Sequence, residues 1–315
     1  MSTTIATEFD QLDLTGSIVT IGTFDGVHRG HQMLLKQAID RARTLGMPCV
    51  VVSFEPIPAS VLRPDRFRGR ICGAEEKQER LLSVGADVLL VVEFTLELAE
   101  WSAEEFMVRL LGATGMRELW VGEAFALGKG RAGDTKHLME LGVRHGFDVR
   151  AVGRLEGDGG VISSSLIREA VISGRVEVAS ALLGRDFNVR GEVIRGFQFG
   201  RTIGYPTANV APPVGLAPLA DGIYASTVRL PDDGRDYPSM TYVGTRPSVN
   251  SGARAIESHL LDFDADLYGQ VIDVSIRHRF RPDQHFPSID ELVAQLRRDE
   301  EQTRAYFASE RPSQN

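Results

Sequence analysis

Cysteine is almost missing from this chain. Its 315 residues hold two, Cys49 and Cys72. Two thiols are too few for the disulfide framework of a small secreted domain. Cys49 precedes an apolar run and reads as core. Lysine is scarce as well: it occurs only at positions 36, 77, 129 and 136, and arginine supplies the rest of the positive charge. The C-terminal half therefore has no lysine with which to hold a phosphate. Long hydrophobic runs are lacking too. The most apolar stretch, Val88 to Val92, is far shorter than the roughly 20 residues that cross a bilayer. The opening MSTTIATEFD lacks the basic-then-apolar pattern of a secretory signal. A cytoplasmic chain with no membrane partner is expected. The formal charge of −8 argues against a nucleic-acid partner, which usually calls for a basic face. No internal repeat and no low-complexity segment is found. What remains is ordinary for a soluble globular protein, 43% hydrophobic and 25% charged, and long enough for two domains.

The most informative stretch is Ser17 to Leu35, SIVTIGTFDGVHRGHQMLL. A β-rich run, Ile18 to Ile21, stops at Gly22. A tight turn, Thr23-Phe24-Asp25-Gly26, follows, and His28-Arg29-Gly30-His31 opens a helix. Strand, turn and helix make half of a βαβ unit, bent at the carboxyl end of a strand, where open α/β sheets bind ligands. The first N–H groups of a helix lack partners within it and suit phosphate. His28 and His31, at i and i+3, can face one ligand. Gly30 leaves room for a phosphate or sugar near the backbone. The plainer reading makes one histidine a helix cap. A zinc site is disfavoured because no cysteine or acidic cluster completes it. The fingerprint GxGxxG is absent from this turn, which weakens a nicotinamide reading.

Residues 17 to about 153 alternate strand and helix patterns. Expected strands are Ile18–Ile21, Cys49–Phe54, Val88–Phe94, Leu119–Gly122 and Asp148–Val152. Expected helices are Gly30–Leu45, Glu75–Val84, Ser102–Leu111, Thr135–His145 and Ser164–Ile172. Ser102 with Glu105 forms a capping box. This alternation predicts a doubly wound parallel sheet. After about Gly184 short β runs take over: Asn188–Ile194, Gly222–Leu230, Ser239–Val243, Ala255–Phe263 and Val271–Arg277. They predict a small antiparallel barrel or sandwich. Ser288-Ile-Asp-Glu291 is a second capping box. It opens an amphipathic helix to about Phe307, whose stripe Leu292, Leu296, Thr303 and Phe307 is expected to pack on the barrel. The tail after Ser309 is expected to be disordered. The expected domains are 1–184 and 185–315.

Four further stretches could carry chemistry. In Ile162-Ser-Ser-Ser-Leu-Ile-Arg168, hydroxyls including Ser163 and Ser164 precede a helix, with Arg168 one turn on. A serine there caps a helix or binds phosphate, and arginine presents a planar donor fork to phosphate. Gly122 to Asp134, GEAFALGKGRAGD, imitates a P-loop and a GxGxxG, but neither spacing nor context fits. It is either a mobile glycine-rich loop or a lid whose Lys129 and Arg131 reach a triphosphate. In Gly200-Arg-Thr-Ile-Gly-Tyr-Pro-Thr-Ala-Asn209, Gly200 and Gly204 flank Arg201 as in a loop that closes over an anion. Thr207 and Asn209, two apart on an extended segment, point to one face. Their oxygens are hard ligands suited to Mg²⁺, though the pair could simply stabilise a turn. Glu257 and His259 share one side of a β run, where a carboxylate near a phosphate site can take a proton from a hydroxyl.

Together these stretches resemble the prokaryotic bifunctional riboflavin kinase/FMN adenylyltransferase family, also called FAD synthetase. The markers are Gly22-Thr-Phe-Asp-Gly-Val-His-Arg-Gly-His31, Ile162 to Arg168, Gly200 to Asn209, and Glu257 through Tyr268-Gly269. The resemblance runs over about residues 17 to 307. It implies a C-terminal barrel that phosphorylates riboflavin with ATP. There Glu257 accepts the proton of the ribityl hydroxyl, Thr207 and Asn209 help hold Mg²⁺, and Arg201 with backbone N–H groups carries phosphate charge. It implies an N-terminal nucleotidyltransferase module that joins FMN to AMP. In that module Gly22, Phe24, Asp25, Gly30, His28, His31, Ser163, Ser164 and Arg168 serve the nucleotide. The chain departs from the family pattern at Ile57, where histidine is usual, at Ala124, where Asn or Asp is usual, and at Leu127, where an aromatic is common. Ser165 and Ser248 replace threonines, and Phe197-Gln-Phe199 is more apolar than usual. An alternative therefore keeps the kinase and gives the N-terminal module another nucleotide, such as CTP, or leaves it a decayed flavin-binding module.

Overall fold

The computed structural model describes residues 4–157, 160–196, 198–231, 233–245 and 254–310. Phe197, Ser248 and the tail from 311 lie outside them. Contacts divide the chain into two compact units: Met1–Arg70 with Ala74–Ser164, and Ile71–Gly73 with Ser165–Asn315.

The first unit is a six-stranded parallel sheet in the order β1-β4-β3-β2-β5-β8. Its strands are β1 (Thr4–Ala6), β2 (Ser17–Ile21), β3 (Cys49–Glu55), β4 (Val88–Glu93), β5 (Met116–Gly122) and β8 (Asp148–Val152); β6 (Ala126–Leu127) and β7 (Gly133–Asp134) form a separate hairpin. Helices α1 (Arg29–Leu45), α2 (Pro58–Leu62), α3 (Ala74–Ser83), α4 (Leu96–Ala99), α5 (Ala103–Thr114) and α6 (Thr135–His145) connect them. The strands are continuous apolar runs because both faces are covered. One face packs Val19, Val50, Val52 and Leu90 against Phe106, Met107 and Leu110 of α5. The other packs Ile18, Val51 and Leu89 against Leu35, Ala38 and Ile39 of α1. The strand order reverses direction at β2, with β3 on one side and β5 on the other. The motif after β2 therefore stands at a topological switch point. Ser102 caps α5 through the Glu105 N–H at 3.1 Å, and Glu105 reaches back to the Ser102 N–H at 2.7 Å. The short β1, paired parallel to β4, carries too little periodicity to read in sequence.

A two-stranded ribbon, β9 (Glu156–Gly157) and β10 (Gly160–Val161), precedes α7 (Ser164–Ile172) and α8 (Val176–Leu183). The second unit is a closed antiparallel barrel in the order β11-β12-β15-β14-β13-β16. These strands are β11 (Phe187–Ile194), β12 (Ala208–Ala211), β13 (Gly222–Arg229), β14 (Asp236–Thr245), β15 (Arg254–Leu260) and β16 (Val271–Arg281). It closes because β16 pairs with both β11 and β13, with register shifts near Tyr224 and Ser226. Such shifts bend a strand. The expected division at 184/185 falls after α8, whereas contacts divide the chain at 164/165. The reason is local: α8 packs on β11 and β16, and the Ala220 N–H donates to the Val171 carbonyl of α7 at 3.3 Å.

A short turn of helix, α9 (Phe199–Thr202), precedes β12, and α10 (Ile289–Glu310) lies across β13 and β14. Ser288 accepts the Glu291 N–H at 3.2 Å, as its capping box requires. The inward stripe of α10 is less apolar than its sequence suggested. Its fully buried side chains are Asp299 and Thr303. Asp299 is buried because Arg281 of β16 meets it at 2.7 Å and Gln295 donates to it at 2.8 Å.

Candidate active sites

In the first unit the turn after β2 is built on unusual backbone. Phe24, Gly26 and Val27 have φ of 51°, 76° and 41°. A β-branched residue rarely adopts a positive φ, and such conformations persist where the surroundings over-determine them. Phe24 and Val27 are buried in the α1 side of the core, which holds the turn. The turn delivers His28 to the start of α1. There its Nδ1 accepts the His31 N–H at 3.3 Å. His28 is therefore the helix cap, the plainer of the two roles the sequence allowed. That role also fixes its tautomer, since an accepting Nδ1 leaves the proton on Nε2.

The His28 and His31 rings stack with centroids 3.6 Å apart, and Phe24 meets His31 edge-on at 5.2 Å. His31 Nδ1 is buried with no hydrogen-bond partner among the described residues. Burial, and then the neighbouring His28, hold the His31 imidazole well below its ordinary 6.5. His31 is thus a neutral ring that can donate a hydrogen bond without charging. A Cβ at Gly30 would meet the His28 ring at 3.2 Å, so this glycine makes room for the imidazole. At Gly22 a Cβ would lie 3.0 Å from the Phe24 ring.

The unfolded chain takes up a proton on His31 below about pH 6.5, where the folded chain does not. The unfolded state then binds more protons, so stability falls as pH drops from about 7 toward 5. We expect His31→Asn to flatten that slope. Urea unfolding followed by tryptophan fluorescence checks this, since Trp101 and Trp120 both lie in the first unit. An unchanged slope would remove His31 as its source.

Ser164 joins the second motif to the first. Its hydroxyl donates to the Asp25 carbonyl at 3.0 Å, which ties the segment before α7 to the turn. Ser163 precedes it. Arg168, on α7, falls beyond the division between units.

The stretch from Gly122 to Asp134 is neither a P-loop nor a dinucleotide turn. It is the β6–β7 hairpin, with a single helical turn at Lys129–Arg131. Its glycines serve close packing: a Cβ at Gly128 would lie 2.5 Å from the Ala103 N, and one at Gly133 would lie 2.4 Å from the Ala103 Cβ. Lys129 pairs with Glu100 at 2.6 Å, and Arg131 donates to the Ala124 carbonyl at 3.3 Å. Both line a cavity of about 600 Å³ whose walls include Phe54, Phe94, Trp101 and Phe125. Ile57 is buried at the start of α2, and Ala124 is exposed.

In the second unit a cavity of about 530 Å³ lies between the barrel wall and α10. Ile203, Tyr205, Ile223, Met240, Leu292 and Leu296 give it apolar sides. Glu257 and His259 line one wall together, as the alternation along β15 predicted. In the sheet Glu257 lies directly across from Asn209 of β12 and from Tyr242 of β14, so the three share a face. The Thr207 hydroxyl donates to Glu257 at 3.4 Å. Gly200 stands close behind, since a Cβ there would lie 2.2 Å from the Tyr205 carbonyl oxygen. Arg201, on α9, is exposed and outside the cavity lining; Gly204 turns the chain at φ 84° toward Pro206.

Sequence reasoning missed Tyr242, whose hydroxyl donates to Asp283 at 3.1 Å, and Arg281. The period-two pattern of β14 placed Tyr242 on the Glu257 face only once the register was known.

The donors near Glu257 are a hydroxyl, an amide and a carboxylate, and no group of three or more His, Cys, Asp or Glu that could hold a metal occurs among the described residues. That set suits Mg²⁺ held largely by substrate phosphates and water, not a cation caged by protein.

A sheet with histidines at its switch point and a barrel with a carboxylate beside a Pro-Thr-x-Asn strand is a combination with relatives. The bifunctional riboflavin kinase/FMN adenylyltransferase of Escherichia coli (strain K12) is 38% identical over 299 residues, 95% of each chain. This chain belongs to that family. Residues 10–166 match the family described as FAD synthetase, and residues 183–307 the one described as riboflavin kinase. The enzyme of the same name from Pseudomonas fluorescens is 37% identical over 295 residues, 93% of this chain and 94% of its own. A solved structure described as a macrolide-efflux protein from Streptococcus pneumoniae is 31% identical. It covers 96% of this chain and 98% of its own, with a TM-score of 0.85. Among the described residues no helix is long and apolar enough to cross a membrane.

Proposed function

We propose that the barrel unit phosphorylates riboflavin and that the parallel-sheet unit then joins the resulting FMN to AMP, each step drawing on ATP. Membership of the family supports both activities. The observation that carries the residue roles is the Thr207–Glu257 contact in the wall of an apolar cavity.

In the kinase step the flavin ring lies between the barrel and α10, against Met240, Tyr242 and Leu296. Its ribityl 5′-hydroxyl meets Glu257. The hydroxyl oxygen bonds to the γ-phosphorus, the bond from that phosphorus to ADP breaks, and Glu257 takes the proton. Thr207 and Asn209 would help hold Mg²⁺, which would neutralise phosphate charge there. Arg201 and the backbone of the glycine-flanked turn add donors. With no lysine in this half, catalysis rests on positioning and electrostatics, as phosphoryl transfer requires.

In the second step an FMN phosphate oxygen bonds to the α-phosphorus of ATP. The bond to the β-phosphate bridge breaks and pyrophosphate leaves. His28 and His31 donate to phosphate oxygens, and Ser163 assists on the triphosphate. Ser164 shapes the pocket through Asp25. The cavity walled by Phe54, Trp101 and Phe125 takes the flavin, with Lys129 and Arg131 at its edge.

Ile57 and Ala124 raise the question of another nucleotide. The relatives from Escherichia coli and Pseudomonas fluorescens are both named FMN adenylyltransferases, which favours ATP. Product analysis tests the whole scheme. Riboflavin with ATP and Mg²⁺ should yield FMN and then FAD with pyrophosphate. FMN alone would remove the second step, and faster dinucleotide formation from CTP would overturn the choice of ATP.

A further inference from the structure

The kinase reading needs Thr207 and Glu257 in register, yet the sheet does not supply that register. Backbone pairing between β12 and β15 is confined to Ala208 with Ser258 and Asn209 with Glu257. Thr207 lies just beyond the end of β12. Pro206 has no N–H, so the ladder cannot continue through it. Something else must hold the Pro206–Thr207 peptide against β15.

His259 does so. Its Nδ1 lies 2.7 Å from the Pro206 carbonyl oxygen. A carbonyl only accepts, so Nδ1 carries the proton and donates. Tyr205 meets the imidazole at 5.2 Å with rings inclined at 61°, which limits its rotation. The next residue after the held carbonyl is Thr207, whose hydroxyl meets Glu257 at 3.4 Å. His259 therefore anchors, with a side chain, a segment in which proline has no N–H to offer the ladder.

We propose that His259 is a positioning residue for riboflavin phosphorylation: by holding the Pro206 carbonyl it sets Thr207, and through Thr207 the Glu257 carboxylate, at the reacting hydroxyl. This rests on the reading of Glu257 as the base. Displacements of about 1 Å in a catalytic arrangement can cost a hundredfold in rate. The effect should fall on kcat, because the residues placed against the flavin ring, Met240, Tyr242 and Leu296, are untouched.

The test compares His259→Asn, His259→Gln and His259→Ala in the full chain. An asparagine amide stands where Nδ1 stood and can keep the bond; a glutamine amide reaches the position of Nε2 and cannot. Kinase kcat should fall about tenfold or more in the Ala and Gln variants, with KM for riboflavin little changed, and should recover in the Asn variant. FMN adenylylation on the same preparations, with thermal melting, reports whether the chain is folded. Adding His259→Ala to Thr207→Ala should cost little further, since both changes break one linkage. Wild-type kcat in the Ala variant, an Asn variant no faster than Ala, or full additivity with Thr207→Ala would each overturn the proposal. A dead Glu257→Gln beside a fully active His259→Ala would sink this inference alone. A fully active Glu257→Gln would sink the underlying reading.

Discussion

Glu257→Gln is expected to slow riboflavin phosphorylation by about 10²–10⁴-fold, the usual cost of losing a general base. The amide keeps the size of the side chain and can still accept from Thr207, so the wall of the cavity stays in place. Riboflavin binding, read by quenching of flavin fluorescence, should change little. The same preparation should still convert FMN to FAD, because that chemistry uses the other unit. The two activities on one polypeptide thus separate a lost proton acceptor from a misfolded chain. A kinase rate within about threefold of wild type would remove Glu257 from its role, for so small a change is far below the range a base contributes.

The second large effect is on stability. Arg281→Ala is expected to destabilise the barrel unit by about 3–5 kcal/mol, the cost of leaving a buried charge without its partner. Asp299 has no exposed surface and Arg281 keeps only 15% of its side-chain area exposed. The guanidinium donates from Nε at 3.0 Å and from Nη2 at 2.7 Å, a two-point contact. Gln295 would remain, but a neutral amide does not balance a carboxylate. Replacing both partners with Arg281→Met and Asp299→Leu should restore most of the loss, since a buried ion pair often equals a packed apolar pair. Calorimetry reads this as a shift in the transition that leaves tryptophan fluorescence unchanged, both tryptophans lying in the first unit. A single variant within about 1 kcal/mol of wild type would show that water reaches Asp299 and that the pair is an ordinary surface bridge. Riboflavin affinity should fall with stability, because α10 forms one side of the cavity.

The first unit was legible in the sequence because its signals are local. Continuous apolar strands, amphipathic helices and the Ser102 capping box each lie within a few residues, and the expected spans match the strands and helices of the sheet to within a few residues. The two histidines were legible as a pair, but their division of labour was not. That His28 caps α1 and stacks on His31 depends on the positive-φ turn, which Phe24 and Val27 hold from the core. Gly30 was read as room for a ligand, and the packing of the His28 ring against it left no mark in the sequence. The barrel was harder. Five of its six strands were visible, the short β12 was not among them, and closure depends on bends in β16 that no short pattern announces. The inward stripe of α10 was read through its leucines, and Asp299 was passed over because a carboxylate looks like a surface residue until its arginine arrives from β16.

The amino-acid order alone determined the two-part organisation and the helix caps, and marked the candidate phosphate stretches, because these follow from neighbours along the chain. Tertiary structure decided which of those stretches meet. Glu257, Asn209 and Tyr242 share a face only through strand register, and Thr207 reaches Glu257 across fifty positions of sequence. Register is a long-range property: each strand must find its partner through loops whose closure costs entropy but leaves no local mark.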